Sequence, residues 1–383
     1  MSETPTILVT AADLSGDAHA AGLIRALRRR LGEARFLGVG GPKMAEAGCE
    51  LLAEPVRRAA MLDSAFSHVL YYWHLIRRVR RAMDERAPAV HVPVDSPAMN
   101  WSLARAARKR GIPVAYYIAP QVWAWAPWRV RKLRRLTDAV ACILPFEADY
   151  LQARGVNAHF VGHPLFDDLP PAAPPDLDAP AADGRWRIAL LAGSREAEIA
   201  AHAAALAALT DRLAARFERA EFTFAALDEA AAERIRRFAG RDDLPVEVGN
   251  TAAVLRRSHF AVVASGTVTL AAAHFGVPMV IFYRVNRWTY RLIGRWVIRT
   301  PHLSLVNILA GRRLVPELMP WYGDLDQLTR QVEEMLAHPA GLKRTRQALR
   351  ELTAPLPAAG ANAADNAADL VIRTMRGAAP RGP

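Results

Sequence analysis

Cysteine is nearly missing from this 383-residue chain, which holds only Cys49 and Cys142. Two cysteines allow one bridge at most and offer no metal-ligand spacing, so a disulfide-stapled secreted fold is excluded and a reducing compartment is expected. Long apolar runs are also missing: no stretch approaches the roughly 18 uncharged apolar residues of a membrane span. The start of the chain shows no secretory pattern, since Met1 to Pro5 is polar and the apolar run from Ile7 breaks at Asp13. Short-period repeats are absent. So are helix-turn-helix, zinc-finger and RNP-type aromatic patterns, which argues against a nucleic-acid binder. Acidic residues are outnumbered 38 to 50, giving a net charge of +12. That excess favours anionic partners such as phosphorylated metabolites or anionic lipid, although an arginine-rich coding bias produces the same excess without any partner.

What is present begins the same way twice. Ile7-Leu8-Val9-Thr10 runs into Ala11-Ala12-Asp13-Leu14-Ser15-Gly16-Asp17 and a helix, and Ile188-Ala189-Leu190-Leu191 runs into Ala192-Gly193-Ser194-Arg195 and another. Short apolar runs bounded by small residues read as buried parallel strands. The turn after each leaves backbone N–H groups at a helix N-terminus, a setting for anions. The first half continues with strands at Phe36–Val39, Ala89–Val94, Val114–Ile118 and Ala139–Leu144. Its first helix carries Leu23, Ile24, Leu27 and Leu31 on one face. The second half has strands at Phe222–Ala225, Val246–Val248, Phe260–Val263 and Met279–Phe282. Alternating strands and helices imply βαβ units. The expected fold is α/β, two Rossmann-like domains with a cleft between them: 1–170, a Pro/Ala-rich linker at 171–185, 186–357, and a terminal helix and tail at 358–383.

Several residues stand where chemistry is expected. Asp95 ends the strand before Ser96-Pro97, where a carboxylate can deprotonate a hydroxyl or merely cap the next helix. Asp13 and Asp17 share that ambiguity. Ser265-Gly266-Thr267 lies between a strand and a helix, and with Gly193-Ser194-Arg195 it reads as a nucleotide-diphosphate cradle; helix capping is the alternative. Arg195 would clamp phosphate oxygens, and Glu198 would bond back to the loop or face solvent. Trp123 and Trp125 line an acyl or sugar pocket or belong to the core. Three basic stretches mix arginines with aromatic and aliphatic residues: 68–81, 128–136, and the series Arg287, Arg291, Arg295 and Arg299. They read as interfacial helices on an anionic membrane or as ordinary helices with a solvated face.

At these residues the chain resembles the lipid-A-disaccharide synthase family of glycosyltransferases. The matching pieces run in order along nearly the whole chain: Ser15-Gly16-Asp17, Gly38-Val39-Gly40-Gly41-Pro42-Lys43-Met44, Val122-Trp123-Ala124-Trp125, Leu144-Pro145-Phe146-Glu147, Val161-Gly162-His163-Pro164, Gly193-Ser194-Arg195, Ala264-Ser265-Gly266-Thr267 and Asn307-Ile308-Leu309-Ala310-Gly311-Arg312. The resemblance implies a GT-B fold and an inverting transfer of diacylglucosamine from UDP to an acylated glucosamine phosphate, with no metal and no resident cofactor. It implies Asp95 as general base, with Asp13 beside it. Gly193, Ser194, Arg195, Glu198, Ser265, Gly266, Thr267 and Asn307 would bind the UDP-sugar donor. Ser15, Gly16, Asp17 and Trp123 would lie on the acceptor side. It further implies a homodimer and a peripheral place on the cytoplasmic face of the inner membrane. Four positions depart from the family pattern. Asp13 stands for a glutamate, Ala98 for an aspartate, Ala271 for a glutamate and Pro320 for a glutamine. A divergent member with altered substrates, a non-catalytic lipid-binding paralogue and another GT-B sugar-nucleotide enzyme are the alternative readings.

Overall fold

The computed structural model describes residues 4–55, 65–124, 126–172, 185–285, 300–359 and 362–377. The arginine series from Arg287 to Arg299, Trp125 and most of the expected linker lie outside the described residues. The chain divides into two compact units, one formed by Met1–Asp167 with Leu356–Pro383 and the other by Asp168–Pro355.

The first unit is built on short parallel strands: β1 (Thr6–Thr10), β2 (Arg35–Val39), β3 (Glu50–Ala53), β4 (Val90–Pro93), β5 (Ala115–Tyr117), β6 (Ala139–Cys142) and β7 (Ala158–Phe160). They pair in the orders β3-β2-β1-β4 and β5-β6-β7, and bridges at His91–Val114 and Val94–Tyr117 join the two groups. Between them run α1 (Leu14–Leu31), α2 (Pro42–Glu46), α3 (Ala65–Arg86), α4 (Pro97–Lys109), α5 (Val130–Leu136), α6 (Pro145–Gln152) and α7 (Leu165–Asp168). Both faces of the sheet are covered, as the near-continuous apolar strands require. Ile7 and Val9 pack on Leu23, Ile24 and Leu27 of α1. Leu8, pointing the other way, packs with Leu75 and Val79 of α3 and Leu103 of α4.

The second unit repeats the plan with β8 (Trp186–Leu191), α8 (Glu196–Arg216), β9 (Ala220–Ala226), α9 (Glu229–Ala239), β10 (Val246–Val248), α10 (Thr251–Arg257), β11 (Phe260–Ala264), α11 (Val268–His274), β12 (Met279–Arg284), α12 (Leu305–Ala310), β13 (Glu317–Trp321), α13 (Leu325–Leu336) and α14 (Pro339–Thr353). Its strand order is β10-β9-β8-β11-β12-β13, all parallel. Counted within the unit this is the 3-2-1-4-5-6 order of a dinucleotide-binding sheet.

The sequence pattern does not disclose β3, β7 and β13. All three are edge strands of five residues or fewer, and β13 contains Pro320, which an edge tolerates and a central strand does not. A second difference concerns the end of the chain. The helix expected within 358–383 forms as α15 (Ala363–Gly377) and packs into the core of the first unit through Ala367, Ala368, Leu370, Val371 and Ile372. The returning segment passes so close to Gly162 that a Cβ there would lie 2.5 Å from the Cβ of Ala358. The Val161-Gly162-His163-Pro164 motif is therefore a crossing point for the backbone, with His163 N donating to Leu356 O at 2.9 Å.

Candidate active site

In each unit the order of strands reverses between the first and fourth strands counted within that unit, and ligands of open parallel sheets sit at the carboxyl ends of strands at such a reversal. In the first unit these strands are β1 and β4, and the loops after them carry Asp13 and Asp95. In the second they are β8 and β11, followed by Gly193–Glu198 and Ser265–Thr267. The candidates read from sequence thus gather at the two reversal points, except Trp123, which follows β5, and Asn307, which lies in α12.

Asp95 sits in a strained turn. It and Ser96 both adopt left-handed backbone, with φ of 45° and 46°. Asp95 does not cap α4; the cap position belongs to Ser96, whose side chain makes no capping bond. The Ser96 hydroxyl instead donates to Asp13 Oδ2 at 2.9 Å and accepts from Ala12 N at 3.1 Å, tying the two loops together. Asp13 Oδ1 caps α1 by accepting from Gly16 N at 2.7 Å. Burial raises the Asp95 carboxyl above the usual range, and the nearby charge of Asp13 adds to it, while the Ser96 backbone N–H opposes both. A half-buried carboxylate with increased proton affinity suits a general base.

Beneath this turn lies a buried polar chain. The Asp95 carbonyl accepts from Asn100 Nδ2 and from the Tyr116 hydroxyl, each at 2.7 Å. Thr10 donates its hydroxyl to Asn100 Oδ1 at 2.7 Å. The same hydroxyl oxygen is 2.9 Å from His91 Nε2, so the histidine proton resides on Nε2. Complete burial lowers the His91 pKa to about 3, which keeps the ring neutral.

The rest of the first loop divides between surface and core. Ser15 is exposed and 3.2 Å from His19 Nε2. Gly16 is buried under the turn, where its N–H serves the Asp13 cap. Asp17 is 1% exposed and caps α2: Oδ1 accepts from Gly41 N and Met44 N, and Oδ2 accepts from Lys43 N. Its carboxylate is committed to the glycine-rich turn.

Trp123 follows β5 and is half-buried. Its Nε1–H donates to Glu147 Oε1 at 3.0 Å, and its ring meets Phe146 edge-on at 4.8 Å. Glu147 is 2% exposed, and burial pushes its carboxyl up to about 7. Two of the basic aromatic stretches present apolar surface. In α3, Leu70 and Trp73 are exposed and the Arg77 guanidinium lies 4.5 Å from the Trp73 ring. Ahead of α5, Trp128 is 64% exposed. No helix among the described residues is long and apolar enough to cross a membrane.

In the second unit Glu198 bonds back to its loop. Oε2 accepts from Ser194 N at 3.0 Å and Arg195 N at 3.2 Å, and Oε1 pairs with Arg195 Nη1 at 2.8 Å. Gly193 has φ of 111°, and a Cβ there would collide with Glu198. The amides expected to be free for an anion are therefore held by Glu198, and the outward element is the Arg195 side chain, 80% exposed. At the other loop, Thr267 makes no capping bond to α11, and no described residue bonds to the Ser265 or Thr267 hydroxyl. Gly266 is exposed, with open space beside it.

Asn307 bonds within its own unit. It is wholly buried: Nδ2 donates to Val315 O and Glu317 Oε2, and Oδ1 accepts from Leu314 N and Val315 N. Its side-chain amide is thus engaged within the segment before β13. One buried residue went unnoticed in the sequence. His202 donates Nδ1–H to Ala192 O at 2.9 Å and accepts from Arg284 N on Nε2 at 3.1 Å, joining the end of β8 to the end of β12. Only its helical spacing was visible in sequence, and that reads as core. Among the described residues no group of three or more His, Cys, Asp or Glu gathers as a metal site.

A family model described as lipid-A-disaccharide synthetase matches residues 7–368. The chain belongs to the lipid-A-disaccharide synthetase family. It is 36% identical over 368 residues to the lipid-A-disaccharide synthase of Anaeromyxobacter dehalogenans (strain 2CP-C), covering 94% of this chain and 95% of that one. Among solved structures it resembles Acinetobacter baumannii MurG, with a TM-score of 0.56 and 12% identity, covering 96% of this chain and 99% of that one. It also resembles the S. aureus MnaA–UDP co-structure, with a TM-score of 0.57 and 11% identity, covering 99% of each. Those identities speak to the fold alone, and the fold is GT-B, two Rossmann-like domains. As a lipid-A-disaccharide synthetase family member the chain is a glycosyltransferase.

Proposed function

We propose that this chain condenses UDP-2,3-diacylglucosamine with 2,3-diacylglucosamine 1-phosphate, releasing UDP and forming a β(1→6)-linked disaccharide 1-phosphate. Asp95 takes the proton from the acceptor 6-hydroxyl as its oxygen attacks the anomeric carbon. The bond from that carbon to the UDP oxygen breaks with inversion, and UDP departs with the electron pair. The observation that carries the reading is the Asp95 turn, a strained, half-buried carboxylate at the strand reversal of the first unit. The exposed Arg195 guanidinium and the hydroxyls of Ser265 and Thr267, which no described residue engages, support a diphosphate site in the second unit. UDP as the nucleotide is supported by the likeness to a protein solved with UDP. Metal-independent chemistry, a homodimer and a peripheral place at the cytoplasmic face of the inner membrane belong to this proposal. For the membrane, exposed Trp73, Leu70 and Trp128 beside arginines give support.

Mass spectrometry of products from the two acylated substrates tests the reaction. We expect Asp95→Ala to abolish turnover while retaining UDP binding, and Arg195→Ala to weaken UDP at least tenfold by calorimetry. Full turnover in the first variant, or unchanged affinity in the second, overturns the corresponding role. A second reading, altered donor specificity, is favoured by Ala271, buried at 4% exposure where the family has a glutamate. A product formed only from a different UDP-sugar would select it.

A further inference from the structure

Asp95 and Ser96 are consecutive non-glycine residues in left-handed backbone, a conformation that crowds each Cβ against the following carbonyl. Such a pair persists only where its surroundings over-determine it. Parallel pairing ends just before it: Val94 bridges Tyr117, and Asp95 N donates to Tyr117 O at 3.1 Å. Beyond that point the turn is held by side chains.

Both act on one atom. The Asp95 carbonyl oxygen accepts from the Tyr116 hydroxyl and from Asn100 Nδ2, each at 2.7 Å. Of the carbonyls around Asn100 Nδ2, that of Asp95 is the nearest; Val94 O and Thr10 O lie at 3.2 and 3.3 Å. Tyr116 is wholly buried, its ring 6.0 Å from that of Trp101. Asn100 is oriented by the Thr10 hydroxyl, which is oriented in turn by the neutral His91 ring. The chain His91, Thr10, Asn100 runs from the core to the base of the turn and ends on the residue whose carboxylate feels the charge of Asp13.

We infer that Tyr116 and Asn100 are positioning residues for the transfer, acting through the main-chain carbonyl of Asp95 to hold its carboxylate against the acceptor hydroxyl. This rests on the reading of Asp95 as the base. Neither residue touches donor or acceptor in this scheme. Their effect is confined to the angle and distance at which Asp95 meets the hydroxyl, and proton transfer is sensitive to both.

The test is Tyr116→Phe, which removes one hydroxyl, keeps the ring and opens no cavity. One hydrogen bond of ordinary net strength corresponds to about a tenfold change in rate. We expect kcat to fall about tenfold, with KM for both substrates and the stoichiometry and affinity of UDP binding unchanged. Asn100→Asp, which sets a carboxylate against the Asp95 carbonyl, is expected to lose more. Asp95→Asn is assayed in parallel. Full turnover in Asp95→Asn overturns the base assignment itself. If Asp95→Asn is impaired while Tyr116→Phe keeps parental kcat, the positioning role is overturned and Asp95 stands. The positioning role also falls if kcat in Tyr116→Phe drops only in proportion to lost UDP-binding stoichiometry, because that is a folding defect.

Discussion

Asn307 and Arg195 stand in the same unit and came from equally short motifs, yet their side chains do opposite things. The Asn307 amide is engaged at four points by the chain itself, whereas Arg195 is exposed and held by a single pair to Glu198. Asn307→Ala would leave the N–H and the carbonyl of Val315 without their partner, while Leu314 N keeps Arg312 O and Glu317 Oε2 keeps Ser304. Each buried orphan costs about 1–3 kcal/mol. We expect urea unfolding to show a loss of about 2–4 kcal/mol for this variant, with UDP affinity of the folded fraction unchanged. Weakened UDP binding at full stability would place Asn307 in the donor site. The same division separates Asp13 from Asp17, four positions apart. The sequence shows a carboxylate at each, and both residue types suit capping. Which one keeps an oxygen for a neighbouring loop depends on a turn more than twenty residues downstream, where Gly41, Lys43 and Met44 present their N–H groups to Asp17. Residue type and strand-end placement were legible; the partners that saturate or spare a side chain were not. Asn100 and Tyr116 went unnoticed for the same reason, since their bonds converge on a backbone carbonyl.

Among elements, the central strands were legible because they are apolar runs buried on both faces, and α1 because its buried residues recur at helical spacing. The edge strands β3, β7 and β13 carry no such signal. The terminal helix was legible as a helix but not as part of the first unit, because amphipathic spacing does not say which surface the apolar face will cover. Two kinds of contact fix α15: apolar burial into the sheet helices, and pairs from Arg29 and Arg30 to Asp365 and Asp369. Magnitude decides between them. Leu370 is 4% exposed, and truncating a leucine in such a place costs about 2–5 kcal/mol. The arginine pairs lie at the surface, each with at least one partly exposed partner, and surface pairs contribute about 0–1 kcal/mol each. We expect Leu370→Ala to lower the denaturation midpoint of the first unit sharply and Arg30→Ala to shift it little. Equal effects would mean that charge, not burial, docks the helix.

At the scale of the molecule, three buried titrating groups in the first unit make its stability depend on pH in opposing ways. Burial lowers His91 to about 3 and His163 to about 4, with the His19 charge adding to the second. Their stabilisation is fully present above the unfolded histidine value near 6.5 and is lost as pH falls below it, because the unfolded chain takes up protons that the folded one refuses. Burial raises Glu147 to about 7. Its contribution has the other sign: it is present below the unfolded value of 4.5 and lost as pH rises towards 7. Between pH 6.5 and 4.5 each histidine withdraws about 2 kcal/mol, and Glu147 returns about 2–3 kcal/mol between pH 7 and 4.5. Glu147→Gln keeps an acceptor for Trp123 Nε1 and removes the titration. We therefore expect this variant to lose stability more steeply than the parent on acidification from pH 7 to 5, by about 2 kcal/mol in excess, with calorimetry at a series of pH values as the measurement. Below pH 4.5 the two curves run parallel, since only the histidines and the ordinary carboxylates still titrate. Parallel curves across the whole range would mean that Glu147 is ionised in the folded chain, and the Trp123 loop would then rest on a charged partner.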